Sequence, residues 1–571
     1  MKRASFVGVL SLAAFTVLPA AGALASPVRA AAPAAAGTVT YHGTAGQATR
    51  LAQPVNGLAH LPAIKSRMAK ANTAKGRVIP FRSPGGSDPA ARSASPRAAK
   101  IASGPAAPAY TTGTTGATVL HSFDGVSDMS SAAVNGGPGV GEVTPPDQGL
   151  CAGYAKGFNG KVIFEPVNIS MRTTSANGTQ LLPELPIGVV FQDPFAFSDP
   201  RCLYDPATKS FYFTVISFPP SGPNSSLTNT VVDVAVLNAK GDLASYQFDT
   251  SLNQTCLGDQ PKTGFSNSEL IISTDEYCGP NTDQYEGAIV LAISKSQLVA
   301  EGPTVSEDLF GPVSLAGIPG LGLDPAINTG TSNGYLVNSF PFDATGQNNV
   351  VSSSLGLWKL KGDTLTGKVI SSEQYAFPIP AASTGDGSTD SNGITSEAFL
   401  NPDDSRTSGP VNVTRTASGD VQLWTAVDAA VAPTGDPTAR DGAAWFKVDT
   451  GKQEVVSQGY VAAKGAYLLY PALQKPANGP AAMVFTVTSP AIDPASAFTT
   501  LGSGKIKLVA GGNGPHLSFA DVPFGPRWGD YSFTGLDPSG KGVWLATEYI
   551  PPAANQDPFD NWGTSVFEVS G

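Results

Sequence analysis

Asp199 to Phe218, DPRCLYDPATKSFYFTVISF, opens on an aspartate in a turn, crosses a short polar spacer and runs into an alternating apolar strand. The same order returns at Asp259 to Tyr277 (DQPKTGFSNSELIISTDEY) and at Asp530 to Ile550 (DYSFTGLDPSGKGVWLATEYI). An internal period of this size signals stacked or radially arranged supersecondary units. Further anchors stand at Asp147 and Asp324, with degraded copies near Glu397 and Tyr470, so successive anchors are 52, 60, 65, 73, 73 and 60 residues apart. Each interval holds four short strands, their turns and one longer loop, the content of one propeller blade.

The texture between the anchors agrees. Short β-rich runs such as Lys161 to Phe164 (KVIF), Thr230 to Leu237 (TVVDVAVL), Gly287 to Ile293 (GAIVLAI), Val421 to Val427 (VQLWTAV) and Ala482 to Thr488 (AMVFTVT) are separated by Gly, Pro, Asn and Asp. No amphipathic helix of three turns stands out. The chain is therefore expected to be all-β, a β-propeller of seven four-stranded blades over residues 117–571. The ring is expected to close by pairing Ser565 to Val569 (SVFEV) with Thr118 to Phe123 (TVLHSF). Closing a ring removes the long edges that an open sheet of this size would expose.

The residues before the propeller read differently. Lys2 and Arg3, an apolar run from Phe6 to Leu18 and Ala23-Leu24-Ala25 have the layout of a signal peptide over 1–25. The apolar run is too short to span a bilayer, and no later stretch approaches that length, so a secreted, extracellular protein without a membrane span is expected. Residues 26–116 are rich in Ala, Pro, Ser, Gly and Arg and poor in aromatics, which predicts a disordered linker or pro-segment.

Charge divides the chain in the same place. Residues 26–115 carry eleven Lys/Arg against one acid, Asp88, whereas 116–571 carry 22 Lys/Arg against 44 acids. So acidic a body is a poor nucleic-acid binder. In an exported chain the four cysteines imply two disulfides. The favoured pairs are Cys151 with Cys202, which follow consecutive anchors, and Cys256 with Cys278, which bracket one repeat; the absence of CxxC and of nearby His argues against a metal at these cysteines.

Three segments together resemble a family of uncharacterised secreted bacterial β-propeller proteins: Gly141 to Gly153 with its Pro145-Pro146-Asp147 turn, Asp199 to Asp205, and Arg527 to Tyr531 (RWGDY) followed by Asp537-Pro538, Trp544 and Glu548-Tyr549. Ala444 to Val448, Ser457-Gln458-Gly459 and Tyr470 to Leu473 fit its later blades. A Gly/Ser/Asp-rich insertion over 380–410 departs from the pattern and blurs the fifth unit. The resemblance implies fold and export and brings no reaction with it.

Candidate site residues follow from the ring. The repeated Asp147, Asp199, Asp259, Asp324 and Asp530 precede the innermost strands and are expected to gather as an acidic rim at one mouth of the channel. Such a rim suits a polar ligand or Ca²⁺, because hard cations take carboxylate oxygens. The alternative is that each Asp caps its own turn. Arg527, Trp528 and Glu548 join a cation, an aromatic face and a carboxylate in one unit. Trp528 stacked on a sugar, with Glu548 paired to Asp275 or Glu276, is a glycosidase arrangement. Arg201 and Arg527 equally suit ion pairs between blades. His121 and His516 have no nucleophile motif around them, GxSxG is absent, and Asp386 to Gly393 (DGSTDSNG) lacks the glycine and final glutamate of a calcium loop.

The expectation is thus a monomeric extracellular binding or scaffold module whose ligand is a carbohydrate or protein, with Arg201, Asp199, Asp147, Asp259 and Trp528 as ligand-binding candidates. No cofactor is assigned beyond the Ca²⁺ the rim would suit. The alternative is a carbohydrate-active enzyme, hydrolase or lyase, using Glu548, Asp530 and Arg527.

Overall fold

A computed structural model describes residues 37–56, 61, 116–137, 143–218, 230–251, 256–279, 284–391, 393–407, 409–518, 527–557 and 560–571. The expected signal peptide, and residues 62–115 of the expected linker, lie outside them.

Seven antiparallel four-stranded units follow one another along the chain, the fourth and fifth joined into one sheet where Ala376 pairs with Ala430. Blade 1 is Cys151–Gly153, Val162–Val167, Ser170–Ser175 and Gln180–Pro186, in that spatial order. Blade 2 runs from Ala196–Asp205 to Asp242–Asp249, and blade 3 from Cys256–Phe265 to Thr304–Leu315. Blade 4 runs from Asp324–Pro325 to Thr364–Ala376, blade 5 from Asn412–Arg415 to Glu454–Val461, and blade 6 from Tyr467–Gln474 to Ile506–Ala510. Blade 7 combines Phe533–Leu536, Gly542–Tyr549 and Gly563–Ser570 with the N-terminal strand Val119–Ser127. In that closure Val566 faces Phe123 and Phe567 faces Ser122, as the sequence predicts.

The first strand of each blade is innermost, and these strands meet around a ring. Gln148 Nε2 donates to the Tyr531 carbonyl at 2.9 Å between blades 1 and 7, and Arg201 Nε donates to the Pro261 carbonyl at 3.4 Å between blades 2 and 3. Ala326 bridges Val411 between blades 4 and 5. Between blades 3 and 4 a Cβ on Gly264 would lie 2.5 Å from the Ala326 carbonyl oxygen, so only glycine lets these backbones approach. The fold is a seven-bladed β-propeller. Faces of neighbouring blades pack into continuous apolar layers, for example Tyr212, Val234 and Tyr246 of blade 2 against Leu270, Ile272 and Leu291 of blade 3. Both favoured disulfides are present, Cys151–Cys202 joining blades 1 and 2 and Cys256–Cys278 joining paired strands of blade 3.

Two expectations need correction. Residues 37–56 are not a free linker: Thr38–His42 pairs with the outer strand of blade 4, Thr44–Thr49 with that of blade 3, and Val55–Asn56 with that of blade 2. The outermost strand of a blade has an unpaired edge, and the β-branched and aromatic run Thr38-Val39-Thr40-Tyr41 is suited to cover one. The Tyr41 hydroxyl donates to the Ser314 carbonyl at 3.0 Å and accepts from the Ser314 N–H at 2.8 Å, which fixes the crossing from blade 4 to blade 3.

The fifth anchor is also displaced. Glu397 lies between the two strands of a small ribbon, Ala381–Ala382 and Phe399–Leu400, and the inner strand of blade 5 starts only at Asn412. Asp403, Asp404 and Arg406 fill the axial place assigned to Glu397. The insertion moved the unit along the chain without removing it from the ring.

Candidate functional site at the channel mouth

In an antiparallel hairpin the start of the first strand lies beside the end of the second. Asp259 and Asp275 are direct cross-strand partners in blade 3, and the same geometry in blade 7 puts Glu548 at the face where Asp530 begins its unit. Units 1, 2, 3 and 7 thereby deliver carboxyl groups to one mouth.

A recurring backbone device aims them. Asp199, Gln260 and Tyr470 have positive φ of 54°, 47° and 53°, and each precedes a proline, Pro200, Pro261 or Pro471. At all three places the pairing with the second strand slips. Proline has no N–H to give the ladder, so a bulge there sacrifices little pairing and turns the preceding side chain toward the axis.

Asp147, Asp199 and Asp530 bring one carboxylate oxygen each within 4.8 Å of one another, and all three are buried. Asp147 Oδ2 accepts from Asn168 Nδ2 at 3.0 Å; Asp530 accepts from Gln260 Nε2 at 3.1 Å and from Arg527. Asp259 is 1% exposed, and neither of its carboxylate oxygens has a hydrogen-bond partner. Burial pushes the Asp147 and Asp259 carboxyls well above the usual range, and the neighbouring Asp530 and Asp199 carboxylates push them further. Asp324 is set apart from this group: burial lifts it to about 7 against the opposing pull of Lys262.

Arginines organise the rest. Arg527 pairs with Asp530 inside its own unit, so it is not the inter-blade ion pair the sequence suggested. Desolvation works against the Arg527 guanidinium, but Asp530 and Asp147 overcome it and raise its pKa. Arg201 does link blades, through an aromatic ring: its guanidinium carbon lies 3.4 Å from the Tyr531 centroid. Arg406 holds Asp404 with Nε at 3.0 and 2.9 Å and Nη2 at 2.6 Å, reaches Asp403 at 3.3 Å, and donates Nη1 to Gln260 Oε1 at 3.3 Å.

Glu548 is 1% exposed beside these groups, raised well above its usual range by burial and then by Asp530. Gly529 makes room for it: φ is +59°, and a Cβ would lie 1.9 Å from Glu548 Oε1, which explains the glycine of Arg-Trp-Gly-Asp-Tyr. The expected partner of Glu548 changes. Asp275 and Glu276 belong to blade 3, whereas the carboxylates acting on Glu548 are Asp530 and Asp560. Trp528 is fully buried among Ala381, Leu400, Tyr467 and Ile550, with the His516 ring edge-on at 4.9 Å, so it presents no face to a sugar. An aromatic between breaker residues gave no sign in the sequence of which way it points.

The same face holds a cavity of about 330 Å³ between blades 3 and 4, walled by Tyr277, Tyr285, Phe340 and Phe342. The Tyr285 hydroxyl donates to Asp275 Oδ1 at 3.1 Å, and Asp275 also accepts from the Gly322 N–H at 2.9 Å. Burial raises Asp275 against the opposing charges of Lys262 and Arg406. Neither this cavity nor the Asp403, Asp404, Arg406 set was foreseen. The set had a signal, because Asp404-Ser405-Arg406 repeats the acid–spacer–base order of Asp199-Pro200-Arg201.

No family model matches the chain, and no curated protein matches it in sequence. Solved structures match the chain at low identity and low TM-score. A protein of unknown function from Dyadobacter fermentans is 8% identical over 65% of this chain and 94% of its own, with a TM-score of 0.27. Trypanosoma rangeli sialidase in complex with sialic acid is 11% identical over 74% of this chain and 59% of its own, at 0.31. The α-L-arabinofuranosidase Arb93A of Fusarium graminearum, in complex with an iminosugar inhibitor, is 9% identical over 82% and 98%, at 0.27. Likeness at this level does not reach the site, and the family resemblance drawn from Arg527 to Tyr531 gains no support from a matching family.

Proposed function

We propose that the protein is an exported carbohydrate-active enzyme, a glycoside hydrolase or lyase, working at the mouth of its propeller channel. The observation that carries this reading is the unlike environment of two neighbouring carboxyl groups. Burial and Asp530 push the Glu548 carboxyl well above its usual range, while Asp530 is bound by the Arg527 guanidinium and the Gln260 amide. Cleavage of a glycosidic bond needs such a pair, one group giving a proton to the leaving oxygen and the other serving as base or nucleophile. Glu548 takes the first role and Asp530 the second, with Arg527 as the positioning residue. A panel of polysaccharides, read by release of reducing ends or unsaturated sugars, tests it. Turnover lost in both Glu548→Gln and Asp530→Asn, with folding retained, is the expected result.

A binding module is the second reading, favoured by the enclosure of Glu548 and by the aromatic walls of the cavity between blades 3 and 4. Pockets of this volume lined by rings with a few polar groups suit small ligands. Glycan binding without turnover by the wild type, abolished by Phe342→Ala, would establish this reading and exclude the enzyme.

A further inference from the structure

The axial group holds more negative charge than its own cations can neutralise. Among the described residues, Arg527 is committed to Asp530 and Arg406 to Asp403 and Asp404. Lys262 donates to the Thr407 carbonyl and faces Asp324 and Asp275. Asp147, Asp199 and Asp259 have no ion pair of their own among the described residues: Arg527 acts on them only from its pair with Asp530, and the Arg201 guanidinium is spread over Tyr531. Burying uncompensated carboxylates is costly, so protons or a bound cation must balance them.

We propose that Asp147, Asp199 and Asp530, with Asp259 beside them, form a Ca²⁺ site on the propeller axis. The three carboxylate oxygens within 4.8 Å of one another fit ligands of one ion, since Ca²⁺–oxygen distances of about 2.3–2.6 Å place opposite ligands up to about 5 Å apart. A cluster of acids alone does not make a site, and a second observation points to the ligand. Asp259 is 1% exposed with both oxygens unpartnered, and the Asp199 and Asp530 carboxylates of the cluster act on it electrostatically. Asp147 Oδ1 and the Tyr531 hydroxyl are buried and unpartnered as well. These are hard oxygen donors, the type Ca²⁺ prefers. By joining residues of blades 1, 2 and 7, with a fourth from blade 3, the ion would pin the ring at its centre. The inference does not rest on the enzymatic reading.

The full chain, freed of metal with EDTA and dialysed, tests the site by terbium luminescence sensitised through Tyr531, by displacement with Ca²⁺ and by melting temperature. One terbium per chain displaced by Ca²⁺, and a melting temperature several degrees higher with Ca²⁺ than with EDTA, are expected. Asp259→Asn and Asp199→Asn should each weaken Ca²⁺ binding tenfold or more. Asp386→Ala, in the exposed polar loop, should leave it unchanged. Should Asp199→Asn fail to fold, Asp259→Asn decides, because no hydrogen bond is lost there. Equal melting in Ca²⁺ and EDTA with no displaceable terbium, or binding lost in Asp386→Ala and kept in Asp259→Asn, overturns the proposal. Glycan turnover is not among these readouts, so failure of the calcium site and failure of the enzyme are separately visible.

Discussion

Arg201 and Tyr531 stack at 3.4 Å from guanidinium carbon to ring centroid, and so join blades 2 and 7, which are not neighbours in the ring. Gln148 of blade 1 holds the carbonyl of the same tyrosine at 2.9 Å, and the Phe533 ring lies 5.5 Å from the guanidinium. One buried cation thereby ties both sides of the seam where the chain's first and last blades meet.

Replacing that cation should loosen the seam. A desolvated cation–π contact is worth about 2 kcal/mol, and Arg201 also offsets the charges of Asp199 and Asp324. Arg201→Met is expected to lower unfolding free energy by about 2–4 kcal/mol in denaturant titrations. Tyr531→Phe keeps the ring and should cost under about 1 kcal/mol, since its hydroxyl makes no hydrogen bond.

The two disulfides should differ in worth. Cys151–Cys202 closes 51 residues and Cys256–Cys278 closes 22. Loop-closure entropy then gives about 4 and about 3 kcal/mol respectively. Paired Cys→Ser variants, compared by melting in oxidising buffer, should rank in that order. The reverse order would show that strand pairing of Cys256 with Cys278 adds more than chain entropy.

Stability should fall as pH rises from about 4.5 to about 7, in part through Glu165. Burial raises this carboxyl to about 7, despite hydrogen bonds from Thr564 and the Val126 N–H. The folded state keeps the proton longer than the unfolded chain, so the associated stability is complete below the unfolded value and is lost through the folded one. Glu165→Gln should flatten the free-energy profile between pH 5 and 7.5 by at most about 3 kcal/mol. An unchanged slope would assign that pH dependence to other carboxyls.

The N-terminal strands should matter to solubility more than to the ring itself. Deleting residues 37–56 uncovers the outer edges of blades 2, 3 and 4, which are templates for pairing with another chain. Faster aggregation on heating, seen by light scattering, is expected, with circular dichroism near that of the full chain before heating. Tyr41→Phe, which removes only the hydroxyl shared with Ser314, should cost about 1 kcal/mol.

Period and patterning determine the architecture. Asp-led units about 60 residues apart, the SVFEV closure with TVLHSF and the pairing of the cysteines are all read from spacing, because every blade repeats one local solution to burying two faces of a small sheet. The convergence of Asp147, Asp199, Asp259 and Asp530 was legible for the same reason. What the tertiary structure alone decided is which way individual side chains turn and what meets them. Trp528 faces inward, Glu548 finds Asp530 in place of Asp275, and Arg201 reaches past blade 1 to Tyr531. Residues brought together by closing a ring are hundreds of positions apart, and no periodicity within one blade encodes the distance to another. The edge strands of residues 37–56 show the same limit from outside: their composition is that of a linker, and only the open edges of blades 2 to 4 make them strands.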